Sequence, residues 1–171
     1  SGKTTTARMI DELLRGFGLR VGRFTSPHLE SMRERIVLDG EPVSAERFVE
    51  TYDDIAPYVQ MVDAAGEHPM SFFEVMVGMA YATFADAPVD VAVIEVGMGG
   101  TWDATNVADG LVAAVILEDR EAGRAERALL GRRDAAGDVE CMAHLGLGHV
   151  VQVADRSLRD HQGVARMLPL Q

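Results

Sequence analysis

The sequence predicts an α/β fold, a mostly parallel sheet of the phosphate-loop type with helices on both faces. Three observations lead there. Residues 89–96 and 111–117 are continuous apolar runs, broken only by Asp90 and Glu95, the composition of strands buried on both faces. Segments of helical period alternate with such runs, the pattern of a sheet covered by its own crossovers. Gly2-Lys3-Thr4 stands at the head of the first helical segment, where backbone N–H groups and the helix N-terminus can take phosphate oxygens.

The elements follow in order. Ala7, Ile10, Leu13 or Leu14, and Phe17 recur at three- and four-residue steps, predicting a first helix that stops at Gly18. Residues 19–25 read as a short strand ended by Ser26-Pro27, because proline cannot donate to a ladder. Residues 35–38 read as another, with Asp39-Gly40 as its turn. Ser44 caps a second helix marked by Phe48, Tyr52, Ile55 and Val59 and kinked at Pro57. Residues 63–69 form a loop. Ser71 and Glu74 have capping-box spacing and open an apolar, buried helix reaching about Phe84. Pro88 ends it, residues 89–96 form the next strand, and Gly97-Met98-Gly99-Gly100 turns the chain sharply. The strands at 19–25, 89–96 and 111–117 should run parallel in one sheet. This gives one domain, residues 1–117, and an unassigned, loosely ordered tail, residues 118–171, with a short strand at 149–153.

Composition narrows the function. At 171 residues the chain can bury one real core, and 47% apolar with 25% charged residues is ordinary for a globular protein. A formal charge of −11 argues against a nucleic-acid surface. No apolar run is long enough to span a membrane. Cys141 is the only cysteine, so a cytoplasmic setting is expected. Lys3 is the only lysine. Its position beside Gly2 and Thr4 gives it a task, reaching a nucleotide's outer phosphates, although Gly-Lys-Thr also arises by chance.

Glu95 lies near the end of a buried strand, where a carboxylate is costly unless a cation answers it. Magnesium held between that carboxylate and nucleotide oxygens would do so; emergence of Glu95 into solvent is the plainer alternative. Ser26-Pro27-His28-Leu29 ends a neighbouring strand, so Ser26 can reach a metal and His28 a substrate. On these residues alone a turn and a surface histidine are commoner. Phe72 and Phe73 suit a core, and Asp103-Ala104-Thr105-Asn106 suits a polar loop. The five histidines show no metal-ligand spacing.

In combination these motifs are more specific. Gly2-Lys3-Thr4-Thr5, Thr25-Ser26-Pro27-His28-Leu29, Ser71-Phe72-Phe73-Glu74, Glu95-Val96-Gly97-Met98-Gly99-Gly100 and Asp103-Ala104-Thr105-Asn106 occur in the order that resembles bacterial folylpolyglutamate synthases and dihydrofolate synthases of the Mur ligase superfamily. Glu34-Arg35-Ile36 with Asp39-Gly40-Glu41 resembles them too, and the likeness covers residues 2–115. It implies the central, ATP-binding domain of a Mur ligase and an ATP-dependent carboxylate–amine ligase. ATP and Mg2+ are the implied cofactors, dihydropteroate or folate and L-glutamate the implied substrates, and a monomer without nucleic-acid or membrane partners the implied state. By this resemblance Lys3 and Glu95 are catalytic, and Gly2, Lys3, Thr4 and Thr5 bind ATP. Ser26, Glu95 and Thr4 hold the metal, while His28, Phe73, Asp103 and Ala104 contact the folate.

The chain also departs from that pattern. Only Ser1 stands where the family's loop has Gly-Thr-Asn, and Thr101 replaces an arginine of many members. The Gly-Leu-Asp-His segment and a second, carbamylated lysine expected after Val115 are not in the sequence. Residues 118–171 do not resemble the family, as a frameshift or truncation would produce. The expectation is therefore an incomplete domain without turnover by itself. Two other readings stand beside the ligase. A partition-type ATPase or signal-recognition GTPase explains Gly-Lys-Thr-Thr-Thr but leaves residues 26–29 and 103–106 unexplained. A non-catalytic remnant explains the missing parts.

Overall fold

The computed structural model describes residues 2–87, 89–99, 102–107, 111–117 and 149–155. Helix α1, Lys3–Gly16, ends on Phe17, and Gly18 reverses the chain at φ +81°, a conformation open to glycine. Strand β1, Val21–Phe24, is buried throughout. A single 3-10 turn, Met32–Arg35, opens on a Ser31/Glu34 capping box and leads into β2, Ile36–Leu38. Asp39 and Gly40, at φ 49° and 90°, make the reversal into β3, Glu41–Pro42.

Helix α2, Ala45–Ala65, is capped by Ser44, whose side chain accepts from the Arg47 N–H. It continues through Pro57 and three residues into the stretch expected to be loop. Helix α3, Phe72–Asp86, begins at the expected Ser71/Glu74 capping box. Strands β4, Val91–Glu95, β5, Leu111–Leu117, and β6, His149–Asp155, complete the described elements, with a second 3-10 turn at Ala104–Val107.

The strands form one sheet in the order β3-β2-β1-β4-β6-β5. Strands β1 and β4 pair in parallel, from Val21 opposite Val91 to Phe24 opposite Ile94. Strand β6 lies antiparallel to β4 on one side and to β5 on the other. Thus β1, β4 and β5 share one direction, as the sequence suggested, but β6 runs against them. Among the described residues parallel pairing is confined to β1 and β4, so the sheet is mixed rather than mostly parallel. An apolar run reports burial on both faces and says nothing of its neighbour's direction. The seven residues of β6 belong to this sheet; the rest of the expected tail, 118–148 and 156–171, lies outside the described residues.

Both faces carry helices. Strand alternation sends Val21 and Val93 to the side of α1, where they pack with Ala7 and Val151. Phe24, Ala92 and Ile94 face the larger core with Ile55 of α2 and Met76, Ala80 and Phe84 of α3. On α1 the inward residues are Ala7, Ile10 and Leu14. Leu13 and Phe17, two positions of the expected apolar face, are 63% and 81% exposed. The remaining inward place is taken by Asp11, fully buried, whose carboxylate accepts from Arg23 at 2.6 Å.

Candidate functional site

Parallel pairing of β1 and β4 delivers the residues at their carboxyl ends, Thr25-Ser26 and Glu95-Val96, to one edge of the sheet. Glu95 shares the α1 face with Val93, two residues earlier, so its carboxylate meets the first turn of that helix. Thr4 Oγ1 donates to Glu95 Oε2 at 2.9 Å, and the Ser26 N–H donates to the same oxygen at 3.3 Å. Lys3 Nζ donates to the carbonyls of Val96 and Gly97 at 3.0 and 3.1 Å. Gly2 holds φ +134° before the helix, and no side chain caps it, leaving the first-turn N–H groups open to a ligand. Gly2 and Thr5 are both exposed.

Glu95 is 1% exposed and has two neutral donors but no ion pair among the described residues. A buried carboxylate so placed carries a desolvation cost that a bound cation could offset. With the Thr4 hydroxyl on this carboxylate and the Ser26 backbone against it, the edge could hold magnesium shared with nucleotide phosphates through oxygen donors. No cluster of three or more His, Cys, Asp or Glu side chains that could hold a metal alone occurs among the described residues.

Beside this edge opens a cleft of about 620 Å³, whose lining includes Lys3, Ser26, Arg35, Phe72, Phe73, Trp102, Asp103 and Ala104. Phe73 packs its ring 5.9 Å from that of Phe24 and is both core and cleft wall. A Cβ at Gly97 would come within 2.5 Å of the Phe73 ring, so any larger residue there would have to push that ring aside. Asp103 is buried, and its carboxylate accepts from the N–H groups of Gly99 and Thr105 and from the Thr105 hydroxyl. It therefore shapes the turn as well as lining the cleft. The Tyr81 hydroxyl donates to the Thr105 carbonyl beneath, and burial pushes that phenol up.

Of the residues singled out from sequence, Lys3, Ser26, Phe73, Asp103 and Ala104 line the cleft, and Thr4 and Glu95 meet beside it. His28 is not among the lining residues: its Nδ1 accepts from Arg35 Nε at 2.9 Å. Thr101 lies outside the described residues. Among the lining residues that had no site role from sequence are Arg35, Phe72 and Trp102. Their signals were an arginine just before a strand that hairpins onto β1, the first residue of a capped helix, and the chain's only tryptophan after a glycine-rich turn.

No protein-family model matches the chain. It is 52% identical over 122 residues to a dihydrofolate synthase/folylpolyglutamate synthase of Mycobacterium tuberculosis, covering 67% of this chain and 25% of that protein. Among solved structures, M. tuberculosis folylpolyglutamate synthase complexed with ADP and AMPPCP superposes with a TM-score of 0.61 at 55% identity, over 64% of this chain and 25% of the other. A bifunctional folylpolyglutamate synthase/dihydrofolate synthase with Mn, AMPPNP and L-glutamate bound superposes with a TM-score of 0.56 at 34% identity, with the same coverage. The chain thus spans about a quarter of the length of these three relatives.

Proposed function

We propose that this chain, similar over about two thirds of its length to folylpolyglutamate synthases/dihydrofolate synthases, belongs to that family and that its site serves ATP-dependent joining of L-glutamate to dihydropteroate or a folate. In that reaction a carboxylate oxygen of the folate attacks the γ-phosphorus of ATP, and ADP leaves. The free amino group of glutamate then attacks the acyl carbon, phosphate departs with the C–O bonding pair, and the nitrogen loses a proton as the amide forms. The observation that supports this reading best is the meeting of Lys3, Thr4, Ser26 and Glu95, drawn from three separate segments, at one sheet edge.

Each residue has a definite task. The α1 N-terminus and Lys3 neutralise phosphate oxygens where negative charge gathers. Glu95, Thr4 and Ser26 would hold magnesium, which supplies further charge neutralisation when bound. Phe73, with Ala104, offers the aromatic part of the substrate an apolar wall, and Asp103 fixes the turn that closes it. A cytoplasmic monomer without nucleic-acid partners fits the charge of −11 and the single cysteine. Among the described residues no helix is long and apolar enough to cross a membrane.

Calorimetry with ADP, with and without magnesium, tests the assignment. Lys3→Met should weaken nucleotide binding at least about tenfold, since a hydrogen bond to a charged group is worth roughly 1.5–3 kcal/mol. Glu95→Gln should remove the advantage conferred by magnesium while leaving metal-free ADP binding largely unchanged. Nucleotide affinity indifferent to both substitutions would refute the site.

A further inference from the structure

One buried cation in the cleft has no task in the nucleotide machinery. Arg35 is 8% exposed, yet it makes no ion pair with any described residue, unlike Arg15, Arg20, Arg23 and Arg47. Its backbone is tied to the end of β1, where the Thr25 N–H donates to its carbonyl at 3.0 Å. Its side chain is held from two directions. Nε donates to His28 Nδ1 at 2.9 Å, and the guanidinium carbon lies 5.1 Å from the centre of the Phe72 ring. Such a contact orients the planar group without neutralising it. A guanidinium has five N–H donors, and only Nε has an acceptor among the described residues. Burial draws the Arg35 guanidinium down from its ordinary value, and the Glu95 carboxylate opposes that, so the two groups share one electrostatic neighbourhood.

We propose that Arg35 is the anchor for the substrate's reacting carboxylate, with His28 and Phe72 as its positioning residues. This rests on the ligase reading and adds to it the group that brings the carboxylate to the nucleotide. The chemistry fits: a guanidinium edge takes a carboxylate through two parallel hydrogen bonds, which fixes orientation as well as charge. Phe73 and Trp102 flank the same cleft and give the attached aromatic ring its apolar walls. Because Arg35 lines the same cleft as Lys3 and Ser26, a carboxylate held on it shares that cleft with the nucleotide edge. Holding the two reactants there replaces a random encounter with a fixed one.

The experiment compares pteroic acid with its primary carboxamide, the same aromatic body without the negative charge. Quenching of Trp102, the only tryptophan and a cleft residue, reports binding of each. The chain should bind the acid at least about tenfold more tightly than the amide, the worth of a charge-assisted contact. Arg35→Gln should bring acid affinity down to that of the amide and leave the amide unchanged, with Arg35→Lys in between. His28→Leu should reduce the preference for acid over amide, again without weakening the amide; a merely structural role would weaken both.

Equal binding of acid and amide by the unsubstituted chain would overturn the proposal without any variant having to fold. So would an Arg35→Gln chain that keeps the acid preference but loses ADP affinity, which would make Arg35 a phosphate ligand. Binding of neither compound would overturn this proposal and the folate reading together. A preserved acid preference alongside failed nucleotide binding would remove the ATP assignment alone.

Discussion

Three backbone N–H groups, those of Leu29, Glu30 and Ser31, donate to the carboxylate of Glu34 at 3.0, 3.0 and 2.7 Å. These bonds, that of Leu29 foremost, hold the Glu34 carboxyl below its ordinary value of 4.5. A carboxyl lowered by folding lends stability that is present above its unfolded value and is lost as pH falls through the folded one. The segment after Ser26 should therefore loosen only at pH below 4.5. Carbon-detected NMR should give Glu34 a midpoint under 4.5, and Glu34→Gln should abolish the acid dependence of amide protection at Leu29 and Ser31. A midpoint at or above 4.5 would contradict this. Single residues were legible in the sequence where their type was costly for their place: the lone lysine at a helix head, the carboxylate in an apolar strand. Arg35 was not, because only the register of β2 on β1, Ile36 opposite Phe24, carries it to the cleft.

Local chemistry made the helices legible: Ser44 and Ser71 cap α2 and α3 where side-chain oxygens can accept first-turn N–H groups. Strand spans were legible too, but β6 shows the limit. No pattern in residues 149–155 tells that they enter the sheet between β4 and β5 and run against both. The first helix misled in a comparable way, because periodicity alone could not choose Leu14 over Leu13 or foresee Asp11 inside. Close packing between elements gives a further expectation. A Cβ at Gly22 of β1 would lie 2.5 Å from the ring of Phe84 on α3, itself 1% exposed. Gly22→Ala should thus destabilise the fold by about 1–3 kcal/mol, the usual cost of overpacking a core. Urea denaturation giving a loss within the few tenths of a surface substitution would show that α3 yields more easily than the packing suggests.

Across the whole molecule, α1 is fastened to the sheet by charge as well as by its small apolar core. Asp11 on α1 reaches Arg23 on β1, and Arg15 bonds the same carboxylate at 3.2 Å. Burial raises the Asp11 carboxyl, and the guanidinium groups of Arg23 and Arg15 oppose that rise. Breaking such a pair leaves a buried charge unanswered. Asp11→Asn should therefore cost about 3–5 kcal/mol, whereas Asp11→Leu with Arg23→Met should recover most of it. A double variant no more stable than the single one would mean that the pair contributes more than mutual neutralisation. The pair bears on function because α1 carries Lys3 and Thr4 while β1 leads to Ser26. Their meeting with Glu95 depends on how helix and sheet are seated.

That meeting can be observed directly by titrating the isotope-labelled chain with manganese and ADP, since a paramagnetic ion broadens the resonances around it even when binding is weak. Broadening should concentrate at residues 3–5, Ser26 and residues 95–97, spare α2, and diminish in Glu95→Gln. Broadening centred elsewhere, or unchanged by Glu95→Gln, would contradict a single metal–nucleotide edge built by α1, β1 and β4.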